Sequence, residues 1–129
     1  MVRDAPVKFS RESANSLVIQ SVSATAIRVS GESYAHAIAL TAEQVIPGWR
    51  SKPVADLSIA DFADLLGDEP ELVVVGTGSR NVFPPRDLVF AFARRGVGLE
   101  VMDTAAAART FNVLAGEGRR IAAVLNLDG

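Results

Sequence analysis

A glycine-rich segment directly follows the most apolar run of the chain. The run ELVVVG, residues 71–76, leads into Gly76-Thr77-Gly78-Ser79, and two prolines close the segment at positions 84 and 85. Such a loop between a strand and a helix can bind phosphate, because its backbone N–H groups and the helix N-terminus donate hydrogen bonds. However, Asn81 takes the place of the third glycine of a G-x-G-x-x-G pattern, and the prolines have no N–H to donate. The pattern favours a shaped turn over a nucleotide site, and it leaves open a small anion held by the loop amides.

The other side chains that could carry chemistry do not form a catalytic set. The chain contains no cysteine and a single histidine, His36, so thiolate catalysis, zinc knuckles and iron–sulfur ligation are excluded. Thr77 and Ser79 have no neighbouring base in the sequence that would activate a hydroxyl. Asp103 precedes an alanine-rich segment, where a helix N-cap is the expected role. We therefore expect no catalytic residue, no metal and no cofactor, and we do not expect an enzyme. The weaker alternative is an uncharacterised enzyme, which would need His36 paired with a carboxylate.

Charge is unevenly distributed along the chain, although the net charge is only −2. Residues 80–120 contain seven arginines and four acids, whereas six acids cluster without an intervening base: Asp56, Asp61, Asp64, Asp68, Glu69 and Glu71. Solvated helix faces account for this asymmetry in the simplest interpretation, and docking to a charged partner is the alternative. The small net charge gives no general attraction to nucleic acid.

Length and hydropathy place the chain among single-domain proteins without a membrane span. Its 129 residues are the size of one ordinary domain, and we expect a flexible segment over residues 1–14 and a single α/β domain over residues 15–127. No uncharged apolar run approaches the roughly 18 residues needed to cross a bilayer, and the start lacks the apolar core of a secretory signal. These features predict a cytoplasmic protein.

The two halves of the chain differ in their hydrophobic pattern. Segments 16–22, 26–30 and 34–41 predict strands, and Ser58 followed by Asp61 is a capping-box arrangement that predicts a short helix. The second half alternates, with strands predicted over residues 71–76, 98–102 and 120–127 and a helix in each interval. A β-α-β-α-β order implies a parallel core. The predicted fold class is α/β, with a mixed central sheet, a C-terminal Rossmann-like half and an N-terminal antiparallel β layer.

The sequence also predicts which residues of the two helices in the second half face the core. Pro85 is expected at the first helical position of the first helix. Its inward residues are expected to be Leu88, Val89 and Phe92. In the second helix, which follows Asp103, the inward residues are expected to be Ala107, Thr110, Val113 and Leu114. Arg109 and Asn112 are three residues apart and share a face. Arg109 is then either solvated or a donor that reaches the glycine loop or a partner's carboxylate.

Several of these motifs together resemble one known family. The combination of G-T-G at 76–78, F-P-P at 83–85, M-D-T at 102–104 and R-T-aromatic-N-V-L at 109–114 is similar to the Mth-domain family of small α/β proteins. The resemblance covers roughly residues 15–127 and implies a three-layer fold with a mixed sheet, helices and an extra β layer. The family's patterned residues correspond here to Gly76, Thr77, Gly78, Phe83, Pro84, Pro85, Met102, Asp103, Thr104, Arg109, Thr110, Asn112 and Leu114. The family usually has tyrosine where this chain has Phe111, so no role for a phenolic hydroxyl is implied.

For function, the resemblance implies protein interaction. The family includes a mitochondrial complex I assembly factor, which suggests a non-catalytic assembly domain whose partners are proteins, with respiratory-complex or assembly components as the leading candidates. Eleven arginines against two lysines are typical of GC-rich bacterial coding, so we expect a bacterial, cytoplasmic member. Any membrane association is expected to be peripheral.

The alternative is a small-ligand or anion-binding domain. Ligands of open parallel sheets bind beyond the carboxyl ends of the strands. The candidate residues for a ligand or a partner at that edge are Gly76, Thr77, Gly78, Ser79, Arg80, Asp103, Thr104, Arg109 and Asn112. This alternative predicts a closed pocket there, formed by the loop 76–81 with Asp103, and with Arg109 turned into it.

Overall fold

The computed structural model describes residues 16–46 and 48–128 of the chain. The segment 1–14, for which flexibility was predicted, lies outside the described residues. Within the described part, eight strands form two sheets, and three α-helices pack against the larger sheet.

A small antiparallel sheet opens the described chain. It consists of β1 (Ile19–Val22), β2 (Ile27–Val29) and β3 (Glu32–Tyr34), paired in that order. Ser30 and Gly31 connect β2 to β3 with φ angles of 45° and 93°. Positive φ at both positions is typical of the two-residue turns that match the twist of a hairpin. This sheet confirms the predicted N-terminal antiparallel layer.

The single strand predicted over residues 34–41 is wrong, because this segment belongs to two sheets. β3 ends at Tyr34, the next residues bend, and β4 (Ile38–Thr41) starts the larger sheet. At the bend, Nδ1 of His36 lies 3.0 Å from the carbonyl oxygen of Ala37. All four residues of β4 are buried because both faces of the larger sheet are covered. The alternation expected for this segment is therefore interrupted where the chain passes between sheets.

The larger sheet is mixed and has five strands in the order β5-β4-β8-β6-β7. Its parallel part consists of β6 (Leu72–Gly76), β7 (Gly98–Met102) and β8 (Ile121–Leu125). β4 runs antiparallel to β8 and to the short β5 (Val45–Ile46). The continuous apolar run of β6 is buried on both faces, as expected for a central parallel strand.

Helices cover both faces of this sheet. On one face lie the 3-10 turns Val54–Asp56 and Ile59–Phe62, helix α1 (Ala63–Leu66) and helix α2 (Arg86–Arg95). On the other face, helix α3 (Thr104–Gly116) packs together with the small sheet. The result is the three-layer α/β arrangement that the sequence predicted.

The helix termini follow their predicted signals with small shifts. The predicted capping box is present, since Asp61 accepts a hydrogen bond from the Ser58 N–H at 2.9 Å. The segment that follows it begins as the 3-10 turn Ile59–Phe62 and not as an α-helix. Pro85 is the N-cap of α2, one residue earlier than predicted, and Gly96 ends α2 with a φ of 71°.

The predicted inward faces of α2 and α3 are wrong at two valines. Leu88 and Phe92 are buried, but Val89 is 42% exposed. On α3, Val113 is 59% exposed, whereas Phe111 is fully buried. The buried residues Ala107, Phe111 and Ala115 are spaced by four, so α3 turns its large aromatic ring toward the sheet and β1.

Candidate functional site

The carboxyl ends of three parallel strands bring together most of the residues singled out in the sequence. β6 lies between β8 and β7, and Gly76 is in register with Leu125 on one side and Met102 on the other. The loop after Gly76, the start of α3 at Asp103 and the residues after Leu125 therefore meet at one edge of the sheet. We call this region the carboxyl edge.

Thr104 is the centre of the polar contacts at the carboxyl edge. Its hydroxyl donates to the backbone carbonyl of Asn126 at 2.6 Å and accepts the N–H of Gly78 at 2.8 Å. The Thr104 N–H donates in turn to the Gly78 carbonyl at 2.8 Å. Because Thr104 is buried, these bonds satisfy groups that would otherwise be left unpaired away from water. One residue thus joins the loop, the helix start and the segment after β8.

Gly76 and Asn126 form a second set of contacts. The Gly76 carbonyl accepts both the backbone N–H of Asn126, at 3.1 Å, and its side-chain Nδ2, at 2.9 Å. A Cβ at position 76 would lie 2.7 Å from both Cα and Oγ1 of Thr104. This is well inside the roughly 3.5–4.0 Å at which carbon atoms pack. The close approach of α3 to β6 therefore explains the glycine at position 76.

Ser79 binds an acidic side chain of the same chain. Its N–H donates to Asp128 Oδ1 at 2.8 Å. Hydrogen bonds from the side chain and backbone of Ser79, followed by the charge of Arg80, hold the pKa of the Asp128 carboxyl below its ordinary value, against the opposing effect of desolvation. Gly78 has a φ of 101°, and a Cβ there would collide with Asp128 Oδ1. The loop is thus already in contact with a carboxylate.

The first three amides of the loop are all paired within the chain. The Thr77 N–H donates to the Met102 carbonyl at 2.9 Å, while the N–H groups of Gly78 and Ser79 bind the partners described above. The Thr77 hydroxyl donates to the Arg80 carbonyl, which closes the loop on itself. An anion-binding nest presents successive N–H groups to the ligand. This geometry favours a shaped turn and does not support an external anion at these amides.

A cavity of about 270 Å³ lies at the carboxyl edge between the loop, the start of α3 and the segment after β8. Most small-molecule sites have volumes of roughly 300–1,000 Å³. The polar lining of the cavity at the carboxyl edge includes Asp103, Thr104 and Asp128. The side-chain oxygen atoms of these residues already accept or donate hydrogen bonds within the chain. Arg109 does not line the cavity, contrary to the expectation of the ligand-binding alternative.

Three candidate residues on α3 have separate environments. Asp103 is the N-cap, since its Oδ1 accepts the Ala106 N–H at 2.8 Å. Asn112 faces the small sheet: its Oδ1 accepts the N–H of Ile19 and its Nδ2 donates to the carbonyl of Ile19, both at 2.9 Å. Arg109 is exposed to solvent. The structure therefore groups Gly76, Thr77, Gly78, Ser79, Asp103 and Thr104 at the carboxyl edge, places Asn112 against β1 and leaves Arg80 and Arg109 exposed.

Two residues that complete the carboxyl edge, Asn126 and Asp128, were not among the predicted site residues. The signal that could have identified them is their position. They follow the last apolar strand of the sequence, at the end where polar residues of parallel strands collect.

An exposed apolar surface beside this edge was also missed. Its residues are Val82, Phe83, Val89 and Phe90, which are 41%, 87%, 42% and 50% exposed. We call this set the aromatic patch. Six large hydrophobic residues are exposed in the described part of the chain, and four of them belong to the patch. Isolated exposed apolar residues need no explanation, but a group of them indicates an interaction surface.

Two kinds of feature are absent from residues 16–46 and 48–128. No three histidine, aspartate or glutamate side chains in these ranges are grouped so that they could hold a metal ion. No helix in the same ranges combines the length and apolar character needed to cross a bilayer.

Two known proteins similar in sequence are a mammalian assembly factor and a bacterial membrane protein. The bovine NADH dehydrogenase (ubiquinone) 1 alpha subcomplex assembly factor 3 is 35% identical over 117 residues, which is 89% of this chain and 63% of the bovine protein. The chain thus spans less than two thirds of that relative. The 13 kDa major membrane protein of Francisella tularensis is 26% identical over 94 residues, which is 71% of this chain and 76% of that protein.

Family and structure comparisons agree with the fold. The family described as proteins of unknown function, DUF498/DUF598, matches residues 19–126. The solution NMR structure of a Mth938-like domain from Bordetella pertussis is similar with a TM-score of 0.73 and 31% identity, covering 91% of this chain and 88% of that chain. The family match extends from β1 to Asn126, just beyond β8. The chain therefore belongs to the DUF498/DUF598 family of proteins of unknown function and has the Mth938-like fold that its motifs predicted.

Proposed function

We propose that this chain is a non-catalytic protein-interaction domain that assists the assembly of respiratory complex I. The observation that carries the proposal is the 35% identity over 117 residues to an NADH dehydrogenase assembly factor. Because the matched region is 89% of this chain, the similarity involves nearly the whole domain and not a single motif. Assembly-type activity needs a folded surface that binds other proteins, and it needs no reacting group.

The contacts at the carboxyl edge support a structural role for the motif residues located there. A nucleophilic hydroxyl requires a base within hydrogen-bond reach. The Thr104 hydroxyl instead lies between a backbone N–H and a backbone carbonyl, at 2.8 Å and 2.6 Å. Asp103 caps a helix, and Asp128 accepts from the loop. These residues hold the loop in one shape, which suits a surface that a partner recognises.

We propose further that the domain acts in the cytoplasm beside a membrane, where respiratory complexes are assembled. The name of the Francisella relative supports a membrane setting for this group of proteins. The partners that fit this setting are subunits of the complex or other assembly components, and no nucleic acid is involved.

Deletion of the gene in its own host tests the proposed function. The readouts are the NADH:quinone oxidoreductase activity of isolated membranes and the amount of assembled complex on native gels. We expect both to fall and to return when the wild-type gene is restored. Succinate:quinone oxidoreductase activity in the same membranes is the control, and it should not change. Unchanged complex I activity and assembly in the deletion strain would contradict the proposal.

A further inference from the structure

The solvent face of α2 combines apolar side chains with the loop before it. Leu88 and Phe92 turn to the core, so the opposite side of the helix presents Phe90 to solvent, and Val89 is exposed at the border of the buried side. Phe83 lies three residues before the helix begins, within about 11 Å of its first residue, since one residue of chain spans at most about 3.8 Å. Phe83 is 87% exposed, more than any other large hydrophobic residue in the described part. The aromatic patch is therefore exposed on the side of the domain where α2 covers the larger sheet.

Arginines flank the aromatic patch. Arg86 and Arg94 lie four residues before and after Phe90, which places all three on one face of the helix. Arg80, whose charge also acts on the Asp128 carboxyl, and Arg95 add two more exposed cations, so residues 80–96 contain four arginines and one acid. The side-chain ion pairs of the described residues join Lys52 to Asp61 and Arg119 to Glu71, and they do not involve these four guanidinium groups. The patch is thus locally positive in a chain whose net charge is −2.

We propose that this surface binds an anionic lipid bilayer, with the arginines on the lipid phosphates and Phe83 and Phe90 in the interfacial layer. Guanidinium groups match phosphate oxygens with paired hydrogen bonds. Apolar side chains on one face of a basic helix enter the boundary between headgroups and acyl chains. Each basic residue near an anionic surface strengthens binding by about fivefold. This inference goes beyond the assembly role and does not depend on the identity of any protein partner.

The shape of the aromatic patch favours a bilayer over a protein as its binding partner. Neither the cavity at the carboxyl edge nor the larger depression, which is lined by residues such as Thr41, Asp68 and Arg119, includes a residue of the aromatic patch in its lining. The patch side chains therefore project from a helix and a loop and line neither of these two depressions. A protein partner would need a pocket for Phe83 together with acids placed against four separate arginines. An anionic bilayer provides both features without a fixed complementary shape.

Vesicle sedimentation with the purified full chain tests the proposal. Vesicles of phosphatidylcholine alone are compared with vesicles of phosphatidylcholine and phosphatidylglycerol, at low and high salt. We expect binding only to the phosphatidylglycerol vesicles, and weaker binding as salt rises because the arginine contacts are screened.

Two double variants and one matched control locate the surface. Phe83→Ser with Phe90→Ser should weaken vesicle binding by about tenfold or more, the loss expected for withdrawing two large apolar side chains. Arg86→Gln with Arg94→Gln should weaken it by about 25-fold, at fivefold for each charge. The control, Arg109→Gln with Val113→Ser, removes an exposed arginine and an exposed valine from α3 and should bind as the wild type does.

Circular dichroism and urea unfolding confirm in each case that the variant is folded. Failure of the wild type to bind phosphatidylglycerol vesicles would overturn the proposal, as would equal losses in the test and control variants. Capture of a protein by the aromatic patch of a wild type that ignores vesicles would also overturn it, and would identify the patch as a protein-docking surface. None of these outcomes alters the result of the gene deletion, so the two proposals fail separately.

Discussion

Replacement of Thr104 by valine removes one buried oxygen and nearly preserves the shape of the side chain. The Gly78 N–H and the Asn126 carbonyl then lose their partner, at a residue that is only 2% exposed. Leaving a buried polar group unpaired costs about 1–3 kcal/mol. Two such groups therefore predict a loss of about 2–6 kcal/mol, which is a large part of the roughly 5–15 kcal/mol that stabilises an ordinary domain.

Urea unfolding followed by circular dichroism measures this loss. With a slope of about 2 kcal/mol per molar urea, the midpoint should fall by about 1–3 M while the slope itself stays unchanged. Thr104→Ser keeps the hydroxyl and should lose only about 1 kcal/mol for the buried methyl group. Thr110→Val is the matched control on α3, because the sole partner of the Thr110 hydroxyl among residues 16–46 and 48–128 is the Met102 sulfur, at 3.4 Å. Its expected change is below about 1 kcal/mol.

The urea midpoints of these variants can also contradict the role given to Thr104. A Thr104→Val midpoint equal to that of the wild type, or equal to that of Thr110→Val, would show that the hydroxyl does not hold the carboxyl edge together. The loop would then be stabilised by other contacts, and the central place given to Thr104 would be wrong.

Three further predictions concern the remaining contacts. Asn112→Ala leaves a backbone N–H and a carbonyl of β1 unpaired and should cost about 1–3 kcal/mol in urea unfolding, whereas an unchanged midpoint would show that α3 and β1 do not depend on this amide. Gly76→Ala places a Cβ against the start of α3 and should cost about 1–3 kcal/mol or more. Gly116→Ala, in open space within a helix, should be neutral or stabilise by up to about 1 kcal/mol, and equal effects of the two substitutions would refute the close approach. Because the pKa of Asp128 is lowered in the folded state, its stabilising contribution is present above the ordinary aspartate pKa of about 3.9 and is lost as pH falls through the folded-state pKa. Asp128→Asn should therefore reduce the fall in urea midpoint between about pH 5 and pH 3, and a decline as steep as that of the wild type would contradict the contact with Ser79.

The fold was largely predictable because its strongest signals are local. The continuous apolar run of β6 and the strand–helix alternation after it indicate a parallel core, and Asp103 before an alanine-rich segment indicates a helix start. The break between β3 and β4 was not predictable in this way. An alternating apolar pattern continues through residues 34–41 and gives no sign of a break. The break arises because β3 pairs in the small sheet and β4 pairs in the larger sheet.

The inward face of α3 could not be read from its composition. Alanines occupy positions 105–108 and tolerate both buried and exposed environments, so they do not fix the rotation of the helix. The orientation is determined by Phe111, which needs a site in the core, and by Asn112, which reaches β1. Arg109 and Asn112 are near each other on the helix surface, yet one faces solvent and the other the small sheet.

The partners of the glycine loop were hidden for a different reason. Ser79 binds Asp128, which is 49 residues away in the sequence, and Gly78 binds Thr104, which is 26 residues away. Local patterns show that such a loop exists, but they do not show which distant side chain will occupy its amides. A free loop of this composition suggests an anion site, whereas the folded loop is closed by its own chain.

Identification of proteins that co-purify with the chain tests the assembly role most directly. The tagged protein is expressed at its native level in its own host, cross-linked gently and purified beside an unrelated tagged protein of similar size. We expect enrichment of complex I subunits or of other assembly components with the tagged chain, and no such enrichment with the unrelated tagged protein. Recovery of no such protein with a folded, functional tagged chain would contradict a role in complex I assembly.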